Sequence, residues 1–239
     1  MFKEIMHPIK GFNPHTFIDW EGKIASVIYL PGCNFRCPFC HSSSLVLAPE
    51  SLDTVDYGDI KTFFHEKRGW MDGVVIGGGE PTLYKNLSVL LSDIKQEGLL
   101  VKLDTNGTTP QVLKKLLDEK LLDYVAMDIK APLDTQKYSK ATASDAEVID
   151  IKQSIDLLMG SGIDYEFRTT VAPGFIEGKD IIAIAQTIEG AKKYVLQQFS
   201  PKDTLDKSMA AVKPYKADEL KQFAQLGSEF VKTCLVRGI

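Results

Sequence analysis

From about residue 23 onward the chain alternates short runs rich in β-branched and aromatic residues with segments whose apolar residues recur every three or four positions. No other feature restricts the fold as much, because such alternation specifies parallel βα units rather than an all-helical or all-β domain. Strand-like runs cover 23–30, 73–76, 100–104, 124–129, 165–171 and 193–199. Helical spacing links them. Leu87, Leu90, Leu91 and Ile94 are closed by Gly98 as a C-terminal cap, and Val112, Leu113, Leu116 and Leu117 follow Pro110 at a first helical position. A capping box of Ser144 and Glu147 precedes Val148, Ile151, Ile155 and Leu158, and further helical signals cover about 57–67, 178–189 and 216–226. Six strands are fewer than the eight of a closed barrel, so the expected architecture is an incomplete (β/α)6 barrel, with an open doubly wound sheet as the alternative.

A length of 239 residues suits one domain with one core, read as an N-terminal extension (1–22), a barrel core (23–200) and a C-terminal helix and strand (201–239). The formal net charge of -4 argues against a nucleic-acid surface, which needs a basic patch. No apolar run approaches the roughly 20 residues of a membrane helix, and the stretch from Met1 to Gly11 lacks the apolar core of a secretory signal. The expected location is cytoplasmic.

Three of the four cysteines crowd into Cys33-Asn34-Phe35-Arg36-Cys37-Pro38-Phe39-Cys40, a loop that begins where the first strand ends at Pro31-Gly32. In a reducing compartment such crowding points to metal or redox chemistry rather than a disulfide framework. Three thiolates within this stretch suit three corners of an iron-sulfur cube with the fourth iron open. A ferredoxin-type site needs a fourth thiolate, and the spare Cys234 lies far off in sequence. The competing reading is a Cys3His zinc site using His41, whose side chain would have to converge with that of adjacent Cys40 on one ion. Phe35 and Phe39 suit the exclusion of water from a cluster, or are simply core residues. Cys234 reads as a small buried apolar residue, and His7, His15 and His65 as surface or structural residues.

The CxxxCxxC spacing, with Phe39 just before the last cysteine, resembles the radical S-adenosylmethionine (SAM) superfamily. Gly77-Gly78-Gly79-Glu80-Pro81-Thr82 at the end of the second predicted strand is similar to that superfamily's GGE segment, and Pro81 favours an extended Glu80. The resemblance implies one 4Fe-4S cluster on Cys33, Cys37 and Cys40, with Phe39 against it and SAM on the open iron. It also implies that Gly78, Gly79 and Glu80 receive the methionine end of SAM. Three more strand ends carry polar groups in apolar surroundings: Asp104-Thr105-Asn106, Asp128 with Lys130, and Arg168; each alone reads equally as a salt bridge or a turn. In a barrel they would ring one mouth and hold the carboxylate, ribose and sulfonium of SAM, Arg168 suiting the carboxylate through its planar fork. Gln198 and Phe199 are candidates for the adenine pocket.

Over nearly the whole chain, from Gly11-Phe12 and 18–23 through GGEPTL, LDTNG, AMDIKAPL, DYEFRTTVAPG and YVLQQFSP, the sequence is similar to the activating proteins of anaerobic ribonucleoside-triphosphate reductase, relatives of the pyruvate formate-lyase activating enzyme. That likeness implies that an electron from a flavodoxin, ferredoxin or thiol system reduces the cluster. SAM is then cleaved to methionine and a 5'-deoxyadenosyl radical, which takes an α-hydrogen from a glycine in a loop of the reductase. No side chain is then needed as a general acid or base, and the carboxylates are binding groups. It also implies a possible monovalent cation near Asp104, Thr105 and Asp128. The sequence departs from many relatives in following Cys40-His41 with Ser42-Ser43-Ser44 rather than Asn. The alternatives are an activase of another glycyl-radical enzyme, a 7-carboxy-7-deazaguanine synthase-like enzyme or, in a different class, a metal-stabilised binding module without turnover.

Overall fold

The computed structural model describes residues 8–239, so His7 lies outside the described residues. In chain order the elements are β1 (Gly11–Thr16), β2 (Ala25–Leu30), α1 (Ser43–Leu47), α2 (Tyr57–Glu66), β3 (Gly73–Gly78), α3 (Leu87–Gln96), β4 (Leu100–Thr105), α4 (Pro110–Asp118) and β5 (Tyr124–Asp128). They continue with α5 (Thr135–Thr142), α6 (Val148–Gly160), β6 (Asp164–Val171), α7 (Gly178–Thr187), β7 (Tyr194–Gln198), α8 (Ala217–Gly227) and β8 (Cys234–Arg237). The strands pair in the order of the chain, β1 to β8. The six strands read from sequence are β2 to β7, each within two residues of its expected ends. β8 pairs parallel to β7, whereas β1 runs antiparallel to β2 with an irregular register between Asn13 and Thr16. Pro14 falls in that irregular stretch, as expected of an edge strand, where a missing N–H donor is tolerated.

The described residues fall into two compact units. The first takes the chain up to Cys33, Ser44–Thr105 and Gln111–Val125; the second takes Asn34–Ser43, Asn106–Pro110 and Ala126–Ile239. In the first, β2, β3 and β4 pair in parallel from Ala25↔Gly73 and Gly73↔Leu100 onward. Val74, Val75, Ile76, Val101 and Leu103 are buried, the continuous apolar run of a strand covered on both faces. α3 buries Leu87, Leu90, Leu91 and Ile94, each contributing on the order of 2 kcal/mol. Gly98 takes φ +82 just beyond that helix, as its capping role requires, and α4 begins at Pro110 as expected.

In the second unit Tyr138, Phe167, Tyr194 and Phe199 are among the largest fully buried side chains. Glu166 on β6 is buried and receives Arg237 of β8 through two nitrogens, at 3.0 and 3.1 Å. The expected capping box at Ser144 does not form. α5 occupies Thr135–Thr142, Ala143 leaves it in the left-handed region (φ 45), and the Ser144 hydroxyl donates to Thr142 Oγ1 at 3.0 Å. The next helix therefore starts only at Val148, and Glu147 makes no side-chain cap.

Candidate active site

None of the four cysteines is in a disulfide, and the three clustered ones follow β2. Gly32 turns the chain at φ +79. In the second unit the loop is fastened at several points. Phe35 is buried with its ring edge-on to Tyr138 (6.2 Å), and the Arg36 amide donates to the Thr142 carbonyl at 2.8 Å. Phe39 is buried against Phe175 (5.3 Å), and the Cys40 amide donates to the Cys37 carbonyl at 3.0 Å. Cys37 is itself buried. Asn106 serves this loop from inside the protein: its Nδ2 donates to Asn34 Oδ1 at 2.8 Å, while Asn34 Nδ2 donates to Thr108 Oγ1 at 2.8 Å. His41 places Nδ1 3.0 Å from the Lys202 carbonyl, and its ring lies beside Phe199.

Among the described residues no group of three or more His, Cys, Asp or Glu side chains is gathered tightly enough to hold a single metal ion. A mononuclear zinc needs its donors about 2.0–2.3 Å from one centre, whereas thiolates that cap separate corners of a cluster need not converge. A loop with one buried and two half-buried cysteines, lined by two buried aromatic rings, is chemically suited to such a cluster.

In the first unit the GGE segment runs on from β3. The Gly79 amide donates to the Leu30 carbonyl (2.8 Å) and the Glu80 amide to the Gly32 carbonyl (2.7 Å), so the segment continues the parallel pairing alongside the chain that enters the cysteine loop. A Cβ on Gly79 would stand 1.7 Å from the Gly32 carbonyl oxygen, and one on Gly78 2.3 Å from that of Leu30. The two glycines are thus required by the approach of two backbones. Glu80 is extended (φ -124, ψ 103), as Pro81 predicts, and its carboxylate is turned inward. One oxygen accepts the Thr82 amide (3.0 Å), the Thr82 hydroxyl (2.5 Å) and the Thr105 hydroxyl (2.8 Å). Thr105 therefore fixes Glu80. Asp104 has the Lys102 ammonium 3.6 Å away, and Lys102 is itself buried, bonded to the Asp19 carbonyl and 5.5 Å from the centre of the Tyr124 ring.

In the second unit β5 ends on Asp128, which holds two cations. Arg168 Nε donates to Oδ1 at 2.7 Å and Lys130 Nζ to Oδ2 at 2.8 Å. Burial alone would raise the Asp128 pKa, but Arg168 and Lys130 bring it down to about 2. Burial likewise opposes charge on Lys130, yet Asp128, then the thiolates of Cys37 and Cys40, hold the ammonium above the usual lysine range. A positive charge is thereby fixed within electrostatic reach of Cys37 and Cys40. At the end of β7, Gln198 Nε2 donates to the Tyr215 carbonyl at 2.7 Å. Its Oε1 is left buried with no hydrogen-bond partner among the described residues, an unused acceptor. Phe199 is buried beside His41 rather than standing open as a stacking surface.

Sequence reading missed three parts of this site. Tyr138 lies on α5, which buries only Tyr138, Ala141 and Thr142 and so has a weak apolar stripe. The Asn34–Asn106–Thr108 brace and the contacts of 202–206 to the loop join segments 72 to about 165 residues apart, and carry no local signal. Cys234 is half-buried rather than fully buried as expected, and desolvation pushes its thiol up to about 12.

The model of the radical SAM superfamily matches residues 27–188, more than half of the chain. A Methanocaldococcus jannaschii protein named as a glycyl-radical enzyme activating enzyme is 35% identical over 236 residues, 97% of this chain and 96% of that protein. A 7-carboxy-7-deazaguanine synthase of Neisseria meningitidis is 30% identical over 155 residues, 65% of this chain and 64% of the enzyme. The crystal structure of Streptococcus suis SuiB bound to S-adenosylmethionine superimposes with a TM-score of 0.66 at 15% identity. It covers 89% of this chain, which spans about half the length of that protein, and the likeness shows the fold, that of the partial-barrel radical SAM enzymes.

Proposed function

Since the chain belongs to the radical SAM superfamily, and is thereby an enzyme whose family implies a 4Fe-4S cluster and SAM, we propose that it is an activating enzyme that installs a glycyl radical on anaerobic ribonucleoside-triphosphate reductase. The observation that carries the activase reading is the match to the M. jannaschii protein, which extends over almost the whole of both chains, whereas the likeness to the deazaguanine synthase covers about two thirds of each. The choice of the reductase as partner rests on the run of motifs from Gly11-Phe12 to YVLQQFSP. The same reading puts the protein in a reducing cytoplasm, served by a flavodoxin, ferredoxin or thiol donor. Among the described residues no helix is long and apolar enough to cross a membrane.

In this reading Cys33, Cys37 and Cys40 hold the cluster. When bound, cluster and SAM supply a carbon-centred radical able to take hydrogen from a glycine Cα. The chain's own groups bind, orient and keep water out. Phe35 and Phe39 dry the cysteine loop. The extended main chain of Gly78, Gly79 and Glu80 receives the methionine amino group, while the Glu80 and Thr105 side chains keep that edge straight. Arg168 and Lys130, fixed by Asp128, offer positive charge to the methionine carboxylate. Asn106 steadies the loop through Asn34. Gln198 Oε1 awaits a donor such as the adenine amine, with Phe199 behind the same strand end. A monovalent cation at Asp104, Thr105 and Asp128 remains part of the proposal, although Lys102 already stands beside Asp104, and Lys130 and Arg168 hold Asp128.

The deciding experiment is anaerobic incubation of the cluster-loaded protein with SAM, reductant and purified reductase, followed by electron paramagnetic resonance. A glycyl doublet is expected, and Cys37→Ala should lose cluster, SAM cleavage and doublet together. SAM consumption without a doublet would exclude the reductase as the substrate.

A further inference from the structure

The segment that follows β7 does more than lead to α8. Phe199 is buried beside His41, and the Lys202 carbonyl lies 3.0 Å from His41 Nδ1. The Leu205 amide donates to the Cys40 carbonyl at 2.9 Å and the Asp206 amide to the Pro38 carbonyl at 3.0 Å. The segment is in turn held rigidly. Thr204 is buried and its hydroxyl donates to the Asp206 carbonyl at 2.9 Å. The Asp206 carboxylate accepts the Ser208 amide at 2.8 Å and caps the 3-10 turn Lys207–Ala211, which is anchored by buried Met209. None of Thr204, Leu205 and Asp206 is a cysteine or one of the strand-end groups assigned to SAM. Their contacts go to the stretch that carries the third cysteine, reaching the carbonyls of Pro38 and Cys40.

We propose that Thr204, Leu205 and Asp206 are positioning residues for the cluster: by fixing the carbonyls of Pro38 and Cys40 they hold the third thiolate in its ligating position and slow its release from iron. The inference rests on family membership and is independent of which glycine-bearing partner is activated. Two backbone hydrogen bonds of ordinary strength change a local opening equilibrium by about tenfold or more. Linkage makes the coupling reciprocal: if the segment steadies the loaded loop, loading must steady the segment by the same factor.

Two measurements test this on the full chain under anaerobic conditions. The first is the rate at which iron passes from the loaded protein to excess EDTA. Asp206→Ala, which removes the cap, should speed release about fivefold, and Asp206→Asn, which can still cap, should restore a rate close to that of the unaltered protein. The second is hydrogen exchange of the unaltered protein with and without cluster. Loading should slow exchange of the Leu205 and Asp206 amides about tenfold, an effect that a merely structural turn would not show. If Asp206→Ala fails to fold, the exchange comparison decides alone. Release unchanged in a folded Asp206→Ala protein, or exchange at Leu205 and Asp206 indifferent to loading, overturns the proposal while leaving the cofactor assignment intact. An unaltered chain that takes up no iron and sulfide overturns both.

Discussion

Glu80 and Asp128 are both carboxylates at strand ends, and they are satisfied in opposite ways. Glu80, in the first unit, takes one backbone amide and two hydroxyls, all neutral donors. Asp128, in the second, takes an ammonium and a guanidinium. The first arrangement ties the end of β3 to the end of β4. The second stations cations, one of them within reach of the Cys37 and Cys40 thiolates. A carboxylate in a motif therefore does one of two things here, bracing main chain or arranging charge, and its partners reveal which.

The largest effect that separates them should come from Asp128→Asn. The side chains of Arg168 and Lys130 are only 10% and 16% exposed, so losing their counter-charge leaves two hindered cations and should lower stability by about 3 kcal/mol. Denaturant unfolding of the cluster-free protein measures this. A cost no larger than that of Glu80→Gln would abolish the distinction.

Acid should reveal the same pair next. The Asp128 pKa is depressed from 3.8 to about 2, so its contribution is complete above 3.8 and disappears as the pH falls through about 2. The linked loss is on the order of 2 kcal/mol, and the acid unfolding curve of Asp128→Asn should lack it. Glu80→Gln should cost less, about 1 kcal/mol, because the amide oxygen still accepts the two threonines; SAM affinity, measured calorimetrically on loaded protein, should stay near its original value. The smallest response should be to potassium. With Lys102 beside Asp104, and Lys130 and Arg168 on Asp128, the proposed cation adds only part of the local charge, so exchanging potassium for a bulky organic cation should weaken SAM binding modestly. A strong dependence would show that these side chains do not supply the charge.

Much of the fold was legible because parallel strands covered on both faces read as unbroken β-branched runs, Val74-Val75-Ile76 being the plainest. β1 was hidden by Pro14, and α5 by its thin apolar stripe. The metal loop and the GGE segment were legible as local spacing. The direction in which Glu80 points was not, since spacing gives no hint that Thr105, 25 residues on, turns its hydroxyl toward that carboxylate. Nor was the dependence of the loop on Asn106 or Leu205, which is settled only when distant segments meet.

The contact between Gly79 and the Gly32 carbonyl also bears on how this chain can be redesigned. Where a single hydrogen on Cα is all that fits, no side chain at position 79 can be accommodated by rotamer choice, so every substitution there must move one main chain off the other. A mutational library meant to alter substrate choice should hold Gly32 and Gly79 constant as a fixed seam. Diversity belongs at exposed neighbours such as Leu83, whose side chains can change without opening it.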